Sequence, residues 1–359
     1  MLAPIRVLVV DDSALIRQMV THALVLDPRI EVVGVAKNGA EAVEKVRQLK
    51  PDVVTLDIEM PELTGLEALP FIIRDSAARV LMLSSVDDPD TTYAALSGGA
   101  VDFIAKPKGG FASSLTDLSE LLIKKIKTAY RIDPEKRGQI TGGLSPVEAA
   151  QARVGAGVRR SGAAGIVEHL VVMAASTGGP PALETVFAGL SDELPVAYLV
   201  VQHLPVGFTM SLAKRLSRIS GCEVAEAQDG MRLEPGQGYV APAGTHMTVS
   251  GRPGRTSTLV LDDSPPLHGV RPSADPLFAS AAYAYGSSVT GVVLTGMGQD
   301  GAEGLAAVRK AGGRTLVQDE ATSVVWGMPG AAVRLGGAQA MVPIDRVAAE
   351  IRRSVREGS

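Results

Sequence analysis

The chain has 359 residues, 46% hydrophobic and 21% charged, with a formal net charge of −4. That length points to two domains, the composition to a globular protein with sizeable cores, and the mildly acidic balance away from nucleic acid as a partner. A single cysteine, Cys222, excludes an internal disulfide framework and fits a reducing compartment. The opening "MLAPIRVLVVDDSALIR" sets two aspartates directly after a short apolar run, unlike a signal peptide, and no segment reaches the ~18 apolar residues of a membrane span. A cytoplasmic protein without membrane insertion is therefore expected.

Over residues 4–130, short β-branched runs at 5–10, 31–36, 52–56, 79–83 and 101–105 alternate with helical stretches at 14–26, 40–49, 65–73, 90–96 and 115–130. Five β-α units with apolar strands predict a flavodoxin-like (βα)5 domain, a parallel sheet covered on both faces. Asp11 and Asp12 follow the first strand, Asp57 the third, Ser84 the fourth and Lys106 the fifth. In a parallel sheet all five fall at one edge, where ligands collect. Clustered carboxylates favour a cation, and an oxygen-only pocket suits Mg²⁺. Such a pocket would hold a phosphoryl group on Asp57, its charge met by Mg²⁺ and Lys106.

Residues 131–165 lose this pattern and, rich in Gly, Ala and Arg, read as a linker with one short helix near "PVEAAQARV". From residue 166 to 357 strands and helices alternate again. Strands are expected at "HLVVMAA", "VAYLVVQ", "QGYVAPA", "HMTVSG", "TSTLVLD", "VTGVVLT" and "RTLVQ", and helices at 182–190, 209–218, 274–285, 302–311 and 344–356. The fold expected is a doubly wound, mostly parallel α/β domain with a larger and more mixed sheet, in which 238–263 supplies an antiparallel excursion.

In this second half Ser176 ends an apolar strand and precedes "TGGPP". A serine there serves equally as the cap of a Pro-started helix or as a nucleophile beside free N–H groups that would stabilise an oxyanion. It is not a G-x-S-x-G elbow, because residue 174 is alanine. Of five histidines, His203 ends the next apolar strand and so emerges beside Ser176, whereas His169 lies at the opposite end of the sheet and His246 and His268 fall in turn-rich stretches. Asp300, after "VTGVVLT", reaches the same edge and supplies the carboxylate that a histidine base needs. A competing pattern is Gly296-x-Gly298-x-x-Gly301 between a strand and a helix, with Asp319 after the next strand, as in a dinucleotide site. Against it, Asp300 would put a negative charge inside the loop meant for a pyrophosphate.

The first half, with "VVDDS", "LDIEMP", "SS" and "KP" in these positions, resembles the phosphoacceptor receiver domain of two-component signalling. The resemblance implies that a histidine kinase phosphorylates Asp57, that Asp12 and Asp57 ligate Mg²⁺ directly with Asp11 helping through water, and that Ser84 and Phe103 form a conformational switch with Lys106 nearby. Together with "AASTGGP", "QHLP", "YVAPAGTHM", "RPSADPLF", "TGMGQDG" and "QDEATSVVWGMP", nearly the whole chain resembles the chemotaxis response-regulator protein-glutamate methylesterase family.

That likeness implies hydrolysis of glutamyl γ-methyl esters on chemoreceptor cytoplasmic helices to glutamate and methanol, and deamidation of receptor glutamines. It implies Ser176 as nucleophile, His203 as general base, Asp300 as its orienter, Thr177 beside the nucleophile and the Met297 N–H in the oxyanion site. No cofactor is implied for the esterase, a chemotaxis histidine kinase is the implied phosphodonor, and the protein is expected to be a monomer. Unphosphorylated, the receiver is expected to cover the Ser176 edge, so that phosphorylation opens it. Departures from the family pattern are Ala174 in place of Gly, Val270 before "RPS" with His268 two residues earlier, Pro276 in place of an aliphatic residue, and Thr64 in place of an acid. The rival reading is a phosphorylation-controlled binding protein without chemistry. A transcription factor is disfavoured by the lack of a helix-turn-helix pattern or basic stripe.

Overall fold

A computed structural model describes residues 3–84, 89–106, 115–133, 165–191 and 194–357. The chain divides into two compact units, Met1–Thr141 and Gly142–Ser359. Most of the expected linker, including its short helix, lies outside the described residues.

The first unit runs β1 (Ile5–Val10), α1 (Ala14–Val25), β2 (Ile30–Ala36), α2 (Gly39–Leu49), β3 (Val53–Asp57), α3 (Gly65–Asp75), β4 (Arg79–Ser84), α4 (Pro89–Ser97), β5 (Asp102–Ala105) and α5 (Leu115–Arg131). The strands form one parallel sheet in the order β2-β1-β3-β4-β5. Helix α1 packs with α5, and α2 with α3. Strand β3 is buried at every residue, as expected where both faces are covered. Local chemistry starts the helices: Ser13 Oγ accepts from Ile16 N, Asn38 Oδ1 from Glu41 N at 2.8 Å, and Thr64 with Glu67 forms a reciprocal capping box. The strand order reverses between β1 and β3, which opens a crevice at their carboxyl ends.

The second unit runs β6 (His169–Ala175), α6 (Gly179–Ala188), β7 (Val196–Gln202), α7 (Thr209–Ile219), β8 (Glu223–Glu226), β9 (Gln237–Val240), β10 (His246–Ser250), β11 (Thr258–Asp262), α8 (Ala274–Tyr285), β12 (Val289–Val293), α9 (Ala302–Lys310), β13 (Arg314–Gln318), α10 (Met328–Arg334), β14 (Ala340–Val342) and α11 (Ile344–Glu357). Seven strands make a sheet ordered β14-β13-β12-β6-β7-β9-β8, with every pairing parallel. The antiparallel excursion is real but separate: β10 and β11 pair as their own two-stranded sheet, from His246↔Asp262 to Ser250↔Thr258. The main sheet is thus less mixed than the sequence suggested.

Helices α8, α9 and α10 pack in succession, while α6 packs against α7 and α11. Leu170, Val172, Leu199, Val201, Phe278 and Leu305 meet in the core between the sheet and its helices. Three elements escaped the sequence reading. Strand β8 is a four-residue edge with one exposed and two half-buried positions, β14 has three residues, and the short α10 carries Pro329 and Gly330. None has the length or periodicity that makes an element legible.

Candidate active site

The three central strands of the second unit, β12, β6 and β7, are buried at every residue. Strand order reverses between β6 and β12, so the crevice beyond their carboxyl ends is the natural ligand position. Ser176 follows β6, His203 follows β7, and Asp300 lies in the loop after β12. Backbone bonds tie the three loops together: Ser176 N donates to Thr295 O at 3.0 Å and His203 N to Ala175 O at 3.1 Å.

The two readings of Ser176 separate here. The N-cap of α6 is Gly178, at φ 74°, and no side chain caps that helix. Ser176 contributes only its carbonyl, which accepts from Gly179 N at 2.7 Å, so its hydroxyl is not spent on the helix. The β12 loop presses closely on this serine. A Cβ on Gly296 would lie 2.8 Å from Ser176 Cβ and 2.3 Å from Met328 Sδ, so only glycine allows the approach.

His203 Nε2 lies 2.7 Å from Asp300 Oδ2. Asp300 is 2% exposed and heavily supported. Oδ1 accepts from Ser273 Oγ at 2.5 Å and from Asp275 N at 3.4 Å, and Oδ2 accepts from Ala274 N at 2.7 Å. The carboxylate therefore sits at the N-terminus of α8, where Ser273, the formal N-cap, makes no capping bond of its own. Burial pushes the Asp300 carboxyl up, but the hydrogen bond and charge of His203, with Ser273 and Ala274, outweigh it and hold the group below its ordinary value. An ionised Asp300 only accepts, so His203 carries its proton on Nε2 and leaves Nδ1 as the basic nitrogen.

Thr177 is buried, and its carbonyl accepts from Thr295 Oγ1 at 3.0 Å; Met297, half-buried, follows Gly296 in the loop that meets Ser176. No hydrogen bond joins Ser176 Oγ to His203. Such contacts are often loose before substrate arrives.

Several supporting groups went unread in the sequence. Ser273 and Ala274 reach Asp300 from 26–27 residues away. His246, at the head of the expected strand "HMTVSG", begins β10, is buried, and accepts from Ser273 N through Nδ1 at 3.1 Å, a contact that its turn-rich surroundings in the sequence do not reveal. His268 Nε2 pairs with Asp275 Oδ2 at 2.8 Å, and Asp275 Oδ1 accepts from Gly304 N at 2.7 Å. "RPS" before a helix pattern is a capping signal, and nothing local reveals that its donors serve a distant carboxylate. His169, by contrast, is buried at the opposite end of β6 on Thr290, and burial lowers it to about 4.

The glycine-rich loop is accounted for by the same geometry. Gly301 caps α9 at φ 81°, Asp300 is engaged by α8 and His203, and Asp319 Oδ1 accepts from Thr322 N and Oγ1 at 3.0 and 2.6 Å. The acid that a dinucleotide would need on its ribose is thus occupied by its own turn.

In the first unit, oxygens of Asp11, Asp12 and Asp57 lie within 4.8 Å of one another. Lys106 Nζ stands 2.9 Å from Asp11 Oδ2 and 2.7 Å from Asp57 Oδ1. Burial drives the Asp57 carboxyl up to about 6; Lys106 opposes this, while the charges of Asp11 and Asp12 add to it. Burial alone would lower Lys106, but its bonds and charge pairing with both aspartates leave it above the ordinary lysine value. Asp11 Oδ2 is buried without an aligned hydrogen bond, and the pocket has more carboxylate than cation. This all-oxygen set fits a hard divalent ion. Ser84, 1% exposed at the end of β4, shares a hydrogen bond with Thr92 Oγ1 at 2.5 Å. Phe103, 3% exposed on β5, pairs with Met82 two residues before Ser84.

Fold and sites define a class: a receiver-type α/β unit joined to a doubly wound α/β unit of hydrolase type. Comparison with known proteins specifies it. The family model "Response regulator receiver domain" matches residues 7–111, and "CheB methylesterase" matches residues 171–351. The chain is 45% identical to the protein-glutamate methylesterase/protein-glutamine glutaminase of Symbiobacterium thermophilum, over 99% of this chain and 98% of that protein. It is 41% identical to the protein of the same description from Pyrococcus horikoshii, over 98% and 94%. The crystal structure of the Thermotoga maritima CheB methylesterase catalytic domain aligns at a TM-score of 0.50 and 37% identity, covering 52% of this chain and 97% of that domain. This chain belongs to the CheB methylesterase family. Among the described residues no helix is long and apolar enough to cross a membrane.

Proposed function

We propose that the chain is a phosphorylation-activated protein-glutamate methylesterase of chemotaxis, with residues 4–130 as receiver, 131–165 as linker and 166–357 as esterase. Its substrates are glutamyl γ-methyl esters on the cytoplasmic helices of chemoreceptors, and the same chemistry deamidates receptor glutamines. The observation that carries the reading is the His203–Asp300 pair at 2.7 Å, in the loops beside the strand that Ser176 follows, in a chain similar over its full length to named esterases.

Ser176 Oγ attacks the ester carbonyl while His203 Nδ1 takes its proton, and Asp300 supports the resulting imidazolium. N–H groups at the start of α6 and at Met297 receive the developing oxyanion. His203 returns the proton to the departing methoxide, which leaves as methanol, and a glutamyl-serine ester remains. Water, deprotonated by His203, then attacks that ester, freeing glutamate and restoring Ser176. With a glutamine substrate the first leaving group is ammonia.

In the receiver, Asp57 accepts the phosphoryl group of a chemotaxis histidine kinase. Asp11, Asp12 and Asp57 would hold Mg²⁺, which offsets phosphoryl charge together with Lys106. Ser84 and Phe103 report the modification to the rest of the unit. The enzyme works in the cytoplasm, as a monomer, without a cofactor for ester hydrolysis.

The test is methanol release from methylated receptor membranes, with and without a small phosphodonor plus Mg²⁺. Release that rises with phosphodonor in the native chain, and vanishes in Ser176→Ala, is the expected result. Binding to receptors without release, on membranes that another esterase demethylates, would replace the enzyme with a phosphorylation-controlled binding protein.

A further inference from the structure

Gln202 is the last residue of β7, directly before His203, and is 1% exposed. Its amide nitrogen Nε2 donates to two carbonyls, Ser176 O at 2.9 Å and His203 O at 3.2 Å. These belong to the proposed nucleophile and the proposed base. One NH₂ group therefore joins the elbow after β6 to the elbow after β7. In the rigid trans amide the C=O and the following N–H point opposite ways, so fixing the Ser176 carbonyl also fixes the N–H of Thr177.

The other half of the amide is left without a partner. Gln202 Oε1 is buried and accepts no hydrogen bond. It fills the space beside Gly179, where a Cβ would lie 1.9 Å from Oε1. An unpaired buried acceptor costs folding free energy, and such groups in native folds call for an account. Gln318, which ends β13, provides the contrast. Its Oε1 accepts from Thr295 N at 2.8 Å, its Nε2 donates to Thr322 O at 2.8 Å, and both halves of that amide hold the fold together. Gln202 by comparison gives stability little: Ser176 O keeps a second donor in Gly179 N at 2.7 Å.

We propose that Gln202 is a positioning residue for the ester hydrolysis, whose amide N–H group sets the Ser176 and His203 elbows relative to each other while contributing nothing net to stability. The inference rests on the Ser176–His203–Asp300 reading. Misplacement of reacting groups by a fraction of an ångström to an ångström carries penalties of order 10–100-fold. Gln202→Met retains the length and removes both the N–H donors and the unpaired oxygen. In the full-length phosphorylated enzyme it is expected to lower kcat for methanol release about 10–100-fold. KM should stay within about twofold and the pH–rate midpoint should not move, because no group that titrates or binds substrate has changed. Its thermal midpoint should equal or exceed that of the native chain.

Gln202→Glu keeps the shape but turns an acceptor toward both carbonyls. It should lose kcat at neutral pH, and the ratio of its kcat to that of the native chain at the same pH should rise on acidification, where a protonated carboxyl again donates. Unchanged kcat in Gln202→Met overturns the proposal, as does a fall in thermal midpoint for both variants with kcat and KM worsening together, the mark of a core strut. Ser176→Ala run alongside separates the two claims: if it retains activity the triad reading fails, and if it is inactive while Gln202→Met is fully active only the role of Gln202 fails.

Discussion

Asp300 shows how many buried groups can converge on one carboxylate. Its carboxylate sits on the first turn of α8, so the Ser273 hydroxyl and two backbone N–H groups at the start of that helix help His203 to hold this acid ionised. Replacing it with Asn leaves the shape but turns an N–H₂ toward donors and spoils the histidine tautomer, with an expected loss on the order of 10³–10⁴ in kcat. Ser273→Ala removes one of these donors and should cost about tenfold, read as kcat/KM for methanol release. Equal, small effects from both would show that Asp300 does not orient the base. At Asp57 the physics runs the other way. A carboxyl held near 6 stays protonated in the fold at pH values where the unfolded chain has released its proton. The stabilisation this gives is complete below about pH 4 and is lost as pH rises through 6. In metal-free protein Asp57→Asn should therefore raise the thermal midpoint at pH 8, and the two proteins should converge near pH 4. Mg²⁺ should stabilise the native chain at pH 8 more than the variant, and a constant difference at all pH values would contradict the assignment.

At the scale of the element, departures from the family pattern find local reasons. Thr64, where the family often has an acid, is the N-cap of α3: its Oγ1 accepts from Glu67 N at 3.2 Å, and Glu67 Oε2 accepts from Thr64 N at 2.9 Å. Thr64→Ala should cost about 1 kcal/mol, measurable as a lower denaturation midpoint, with the rate of Asp57 phosphorylation unchanged. Thr64→Asp retains a capping oxygen and should cost less. His268, two residues away from the family's usual histidine position, pairs with Asp275, and Asp275 is tied through Gly304 N to the start of α9. Burial raises the Asp275 carboxyl, so the pairing offsets part of the cost of a second carboxylate beside Asp300. In the sequence, α8 and α9 read as two independent helices, and their starts turn out to share these acids. Strands β6, β7 and β12 were legible because apolar runs of five to seven residues end at a polar residue. Strand β14 and helix α10 were not, because their residues are placed by the neighbours they pack on.

For the whole molecule, a receiver and an esterase in one chain imply that the population of active enzyme follows phosphorylation. If the unphosphorylated receiver restrains the esterase, removal of residues 1–150 should raise the basal rate of methanol release and abolish its response to phosphodonor, measured per mole of folded protein. A folded fragment no faster than the intact chain would show that phosphorylation acts by activation alone. The alternation of apolar runs with helical stretches determined both α/β units, and residue type at the strand ends determined the candidates Asp11, Asp12, Asp57, Lys106, Ser176, His203 and Asp300, because a parallel sheet sends every carboxyl end to one edge. What the sequence did not contain is which strands are neighbours. Hydrogen bonding between β6, β7 and β12 brings 176, 203 and 300 together, and side-chain direction sends Ser273 to Asp300 and Gln202 to the Ser176 carbonyl. Those choices are made by long-range packing, which no local pattern of residues encodes.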